Sequence, residues 1–225
     1  TIEAGLILRE LMDRGEVDAF SVLCPPHLVG QWVGELKVRF GIDAVSVTSG
    51  TASRLERSLP LAQTLFDAYP FTVVSLDYIK AEKRREGFAR TCPDVVIVDE
   101  AHACVGTHQG RQQRFELLSE LARNPERRMI LVTATPHSGD EKAFARLLSL
   151  VDPSFALMDF EDTRYRERLA RHFVQRRRID LAGAELALSS LIGRERSLEK
   201  ALLEVRDRYD YVLIDTPPSL GLLTI

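Results

Sequence analysis

The chain has 225 residues, of which 45% are apolar and 28% charged, with a formal net charge of −3. Such fractions are those of an ordinary globular protein with one large domain or two small ones, and the near-zero charge argues neither for nor against a nucleic-acid partner. No apolar run approaches the roughly 18–20 residues that span a bilayer, and Glu3 and Arg9 flank too short an apolar stretch for a secretory signal. The cysteines, Cys24, Cys92 and Cys104, are odd in number and form no C-x-x-C pair, which argues against a disulfide framework or metal cluster and points to buried thiols in a reducing compartment.

In chain order, residues 2–14 place Ile2, Leu6, Leu8 and Leu11 among charges, the pattern of an amphipathic helix. "AFSVLC" reads as a buried strand stopped by Pro25 and Pro26. "HLVGQWVGELKVRF" reads as a helix with Leu28, Trp32, Leu36 and Phe40 along one side. "AVSVTSG" is a short strand ending in a turn, residues 53–68 a helix, and "FTVVSL" a third strand. "KAEKRREGFAR" is a basic helix or loop. "DVVIVDE", 94–100, is a strand apolar on both faces, residues 111–123 a helix, "RMILVTAT", 128–135, a fifth strand, and "DEKAFARLLSLV" a helix. Residues 161–178 are charged and helical. Continuous apolar strands alternating with helices imply an α/β fold. Its sheet is mostly parallel, of about five strands over residues 1–155, with helices on both faces. Ligands of such sheets bind at the carboxyl ends of the strands, where "DEAH" and "TATPHSGD" fall.

A carboxylate ending a buried strand can hold Mg²⁺ through its water shell, and its neighbour can orient or deprotonate an attacking water. Asp99 and Glu100 fit that pair, with His102, Thr133 and Thr135 placed to sense a γ-phosphate. A lone Asp-Glu would merely end a strand. The four apolar residues before it, "AH" after it and "TAT" about 30 residues on favour the functional reading.

On these residues, positions 1–178 resemble the first RecA-like lobe of a superfamily-two helicase, closest to the Swi/Snf-type ATP-dependent DNA translocases. "TIEAGLIL" is similar to the end of the phosphate loop and the start of its helix, "VLCPPHLVGQW" to motif Ia, and "VVSLDYIK" to motif Ib. "VDEAH" is similar to motif II, "LVTATP" to motif III, and "RHFVQRRR" to the segment leading toward the second lobe. The resemblance implies ATP and Mg²⁺ as cofactors and double-stranded DNA as partner. Asp99 would coordinate Mg²⁺ and Glu100 be the catalytic carboxylate. His102, Thr133 and Thr135 would couple nucleotide state to lobe movement. Thr1 would close the phosphate loop, with its hydroxyl on Mg²⁺. Pro25, Pro26, Gln31 and Lys80 become candidates for DNA contact. No G-x-x-x-x-G-K-[ST] occurs in the chain, so the loop and its lysine are expected before Thr1, and these 225 residues alone are not expected to hydrolyse ATP. The same resemblance suggests a cytoplasmic, nucleoid-associated bacterial protein.

The tail reads differently. "YVLIDTPPSLG", 211–221, is an apolar strand ending in Asp215, preceded by a helix with Leu198, Leu202, Leu203 and Val205 inward. Residues 179–225 resemble ParA/Soj-type partition ATPases, which would put Asp215 near Mg²⁺ and the γ-phosphate. The whole then reads as a helicase lobe over 1–155, a helical connector over 156–178 and a ParA-like fragment over 179–225, an apparent chimera. A partition ATPase and a non-catalytic chain are the alternatives. Without the phosphate-loop strand the sheet is expected to carry a gap, into which 211–215 could dock. "KAEKRRE" and the "RRR" of 176–178 could meet DNA phosphates or simply solvate helix faces. Trp32 could stack on a base, though packing beside Leu28 and Leu36 is favoured. His108 and His137 read as solvated loop residues.

Overall fold

The computed structural model describes residues 2–60, 63–134, 141–157 and 167–173. Five strands form one sheet: β1 (Phe20–Cys24), β2 (Val45–Val47), β3 (Phe71–Ser75), β4 (Val95–Val98) and β5 (Arg128–Leu131). Their order is β2-β3-β1-β4-β5, and every pairing is parallel. Helices α1 (Ile2–Asp13), α2 (Val29–Phe40), α3 (Ala52–Arg57), α4 (Leu65–Ala68), α5 (Leu76–Ile79), α6 (Glu82–Thr91), α7 (Gln109–Ala122) and α8 (Glu141–Leu148) connect or follow them. This is the three-layer α/β arrangement of a RecA-like domain, with helices on both faces.

Period-two alternation sorts the strand side chains into two cores. Val22, Cys24, Val95, Ile97 and Ile130 join Ala4 and Leu8 of α1 and Trp32 and Leu36 of α2 on one face. Leu23, Val74, Val96, Val98 and Leu131 face Leu76, Phe88, Leu117 and Leu121 on the other. Because both faces are covered, the strands are mostly apolar, and the buried hydroxyls of Ser21 and Thr72 satisfy each other across β1 and β3 at 2.8 Å. At the seam of α1 and α2 a Cβ on Gly5 would overlap the Phe40 ring, so any larger residue there would require that ring to move. Helix α2 ends at Gly41 in the left-handed region (φ 67°), where the Gly41 and Ile42 N–H groups donate to the Lys37 and Leu36 carbonyls.

A buried arginine ties the second core together. Arg127 donates to the carbonyl oxygens of Leu121 (3.1 Å), Ala89 (3.2 Å) and Cys92 (3.3 Å), the carboxyl ends of α7 and α6. A guanidinium suits that place because carbonyls left over at helix ends need donors.

Several boundaries differ from expectation. The sheet shows no gap among the described residues. Instead β1 takes a central place, bonded to β3 on one side and β4 on the other, and β2 and β5 are the outer strands. Residues 53–68 do not form one helix, because Ser58–Pro60 breaks it and Thr64 starts α4 with a capping box to Asp67. Residue 27 lies in a 3₁₀ turn (Pro26–Leu28) rather than in α2, since a proline fits the first position of such a turn. Strands β4 and β5 stop at Val98 and Leu131, short of the polar residues that follow. Of the stretch 156–178, residues 167–173 pack on the domain: Leu169 and Phe173 join Phe144, Leu148 and Phe155. Thr1, Thr135, His137 and residues 174–225, with Asp215 and the 211–215 strand, lie outside the described residues.

Candidate nucleotide site

The carboxyl ends of β1, β4 and β5 lie side by side because the three strands are parallel neighbours. The backbone carries the ladder slightly past β4: Asp99 N–H donates to the Leu23 carbonyl (2.8 Å) and Ala101 N–H to the Val132 carbonyl (3.0 Å). The turn after β4 is therefore anchored to β1 on one side and to the end of β5 on the other, and its polar side chains are forced together.

Asp99 is nearly buried, at 8% exposure. Its Oδ1 accepts the Glu100 backbone N–H (2.9 Å) and its Oδ2 accepts the indole N–H of Trp32 (2.7 Å). Glu100 stands in the left-handed region, φ 53° and ψ 44°, the one non-glycine residue with positive φ among those described. That conformation is costly for a residue with a Cβ and gathers at functional sites. It turns the chain into the 3₁₀ segment Ala101–Cys104, which points His102 back to β5. His102 Nδ1 lies 2.9 Å from the Thr133 hydroxyl and 3.1 Å from Glu100 Oε2. The Glu100 approach lacks hydrogen-bond geometry, so Oε2 is a buried carboxylate oxygen with no hydrogen bond among the described residues. Burial, aided by the charge of Asp99, pushes the Cys24 thiol at the end of β1 up to about 12.

The structure thus brings Asp99, Glu100, His102 and Thr133 into one cluster. Mg²⁺ takes hard oxygen donors and is held by one or two carboxylates together with substrate phosphates and water. An almost buried carboxylate beside an oxygen that lacks a hydrogen bond fits that chemistry. No group of three or more His, Cys, Asp or Glu side chains able to cage a metal occurs among the described residues.

The DNA-contact candidates divide. Pro26 and Gln31 are exposed next to the same end of the sheet, whereas Pro25 is buried, and its carbonyl accepts the Leu28 N–H. Lys80 is engaged with Asp77 (2.8 Å), as is Arg114 (2.6 Å). Arg85 pairs with Glu116 (2.5 Å) and Glu120 (3.3 Å), and Arg84 stacks over the Tyr78 ring at 4.2 Å. Within the basic stretch 80–86, Lys80 and Arg85 are therefore ion-paired within the fold. His108, exposed, precedes α7 at its amino end. Trp32, 1% exposed, is a core residue beside Leu36, but its bond to Asp99 was not read from the sequence. A buried indole needs an acceptor for its N–H, a requirement that signals some acceptor without saying which.

Comparison with known proteins bears on the whole chain. An AAA-domain family model matches residues 147–225. The RNA polymerase-associated protein RapA of Yersinia pestis (strain Pestoides F) and that of Yersinia pseudotuberculosis (serotype O:1b, strain IP 31758) are each 30% identical over 164 residues, 72% of this chain. The chain spans 16% of the length of these relatives. Among solved structures, the Sulfolobus solfataricus SWI2/SNF2 ATPase core in complex with dsDNA matches with a TM-score of 0.50 and 13% identity, covering 93% of this chain and 36% of that one. That last likeness is one of fold. No helix among the described residues is long and apolar enough to cross a membrane. Residues 1–178 resemble the first RecA-like lobe of a Swi/Snf-type superfamily-two helicase, and the tail carries a partial likeness to a ParA-type ATPase.

Proposed function

We propose that this domain is the nucleotide-binding lobe of a Swi/Snf-type ATPase that moves on double-stranded DNA, acting in the cytoplasm at the nucleoid. The observation that carries the reading is the meeting of Asp99, Glu100, His102 and Thr133 at the ends of β4 and β5. Bound Mg²⁺ would neutralise phosphate charge there. Asp99 would hold the ion's water shell, with its carboxylate fixed at both oxygens. Glu100 would accept a proton from the attacking water at Oε2. His102 would link Glu100 to Thr133 and so tie the state of that carboxylate to β5. Thr1 and Thr135 complete the proposed set, on the ion and beside Thr133 in sequence. Gln31 and Pro26 present an outer surface for a DNA backbone, and Lys80 would have to leave Asp77 to join them.

The domains proposed are the lobe over 1–155, the connector over 156–178 and the ParA-like segment over 179–225. Turnover would need a phosphate loop and a second lobe, so residues 1–225 alone would not hydrolyse ATP. The test is to exchange residues 2–157 for the corresponding lobe of Yersinia pestis RapA and measure phosphate release with duplex DNA. A folded hybrid whose DNA-stimulated release Glu100→Gln abolishes supports the reading. A folded hybrid that is inert, or indifferent to Glu100→Gln, refutes it. The AAA-domain match over 147–225 favours a second reading, a partition-type ATPase. Under it, nucleotide binding by the full chain falls with Asp215→Ala and not with Asp99→Asn.

A further inference from the structure

We propose that Trp32 is a positioning residue for Asp99, and that through it helix α2 sets where the metal-site carboxylate stands. The inference rests on the reading of Asp99 as a Mg²⁺-site residue. Residues 32 and 99 are far apart in sequence, on different elements, and meet at 2.7 Å between the indole Nε1 and Oδ2. A buried indole could satisfy its N–H on any backbone carbonyl. Here it takes a carboxylate, and a hydrogen bond to a charged acceptor is shorter and stronger than a neutral one. The other oxygen is held by the Glu100 N–H (2.9 Å), and the Asp99 backbone is held by Leu23 (2.8 Å). Each carboxylate oxygen can accept two hydrogen bonds, so the two donors fix the group and still leave acceptor capacity for the waters of a cation.

Trp32 itself has no slack. It is 1% exposed and packs among Val29, Leu36, Cys24 and Ile97. Its helix is locked at the carboxyl end by Gly41 and Ile42. The residue before it, Gln31, faces solvent, as do Pro26 and His27 one turn earlier. A load on that outer surface that shifts α2 therefore moves the donor that holds Asp99, with no other element needed to pass it on.

Trp32 is the sole tryptophan of the chain, so a ¹⁵N-labelled sample of the full chain gives one indole N–H signal. Two measurements decide the matter: the response of that signal to Mg²⁺ alone, and binding of Mn²⁺ alone, followed by loss of its free electron paramagnetic resonance signal. The expected result is a downfield indole signal protected from exchange with D₂O. It shifts saturably with Mg²⁺ and is unmoved in Asp99→Asn. Mn²⁺ binding is lost in Asp99→Asn and weakened about tenfold or more in Trp32→Phe, the usual cost of removing a partner of a metal ligand. If Asp99→Asn loses Mn²⁺ while Trp32→Phe binds it as tightly as the parent, the positioning role is overturned and the metal-site reading stands. If Asp99→Asn binds Mn²⁺ like the parent, both are overturned. Should Trp32→Phe fail to fold, the parent's indole signal decides: a shift with Mg²⁺ upholds the inference, and a static signal alongside Asp99-dependent Mn²⁺ binding overturns it.

Discussion

Replacing Glu100 by glycine should make the protein more stable than replacing it by alanine, although both remove the same carboxylate. The reason lies in the backbone at φ 53°, ψ 44°. A residue with a Cβ pays about 1–2 kcal/mol to stand in the left-handed region. Glycine stands there freely but loses about 0.5–1 kcal/mol more chain entropy on folding. The difference leaves glycine ahead of alanine by about 1 kcal/mol, or roughly 2–4 °C in Tm for a protein of this size. Asparagine, which tolerates this region better than most residues, should fall between them. The hydrogen bonds that pass through this residue, from its N–H to Asp99 and to its carbonyl from Ala103, are backbone donors and acceptors that all three variants keep. Thermal unfolding followed by circular dichroism ranks the three. A glycine variant that melts at or below the alanine variant refutes the idea that strain is stored at this turn.

Other outcomes follow from the same structure. Burial pushes the thiols of Cys24, Cys92 and Cys104 up to about 12. At pH 8 the folded protein should therefore resist a thiol reagent that titrates all three in denaturant, and rapid native labelling would contradict this. Burial works to raise the Asp77 carboxyl, but hydrogen bonds and charge from Arg114 and Lys80 outweigh it and hold the group below its ordinary value. A depressed folded value means that this contribution to stability is present above the unfolded carboxylate pKa and is lost as pH falls through the folded one. Asp77→Asn should thus flatten the acid limb of a Tm–pH profile below about pH 4, and an unchanged limb would count against the network. Arg127→Met should lower the urea midpoint by an amount worth about 2–3 kcal/mol through the loss of charged hydrogen bonds. Arg127→Lys should not restore it, because one ammonium lacks the fork that reaches carbonyls on two helices.

What the sequence disclosed was governed by range. "VVIV" before Asp99 and "MIL" after Arg128 announce buried parallel strands, because only a strand covered on both faces is apolar at every position. Which strand sits in the middle is not written locally, since "FSVLC", with its one serine, is no more apolar than "VVIV", and β1 proved central by pairing with residues about 50 and 75 positions further on. The meeting of His102 with Thr133 could be anticipated from two strand ends in one sheet. The bond from Trp32 could not, because helical periodicity gives the side a residue faces and not the atom it meets. The left-handed turn at Glu100 was equally hidden, since glutamate has no preference for that conformation and tertiary contacts impose it.

The central place of β1 has a consequence for how the chain is made. Of the five strands it leaves the ribosome first, yet its partners, β3 and β4, come tens of residues later. Until then all five of its residues, buried in the finished sheet, have no neighbour on either side. Helices α1 and α2, already synthesised, can cover only the face that carries Val22 and Cys24. One edge waits for residue 75 and the other for residue 98, a window in which an unpaired strand is open to aggregation. The candidate site comes later still, since it needs Thr133. A nascent chain stalled between those points would hold a half-covered strand, the form a chaperone would meet.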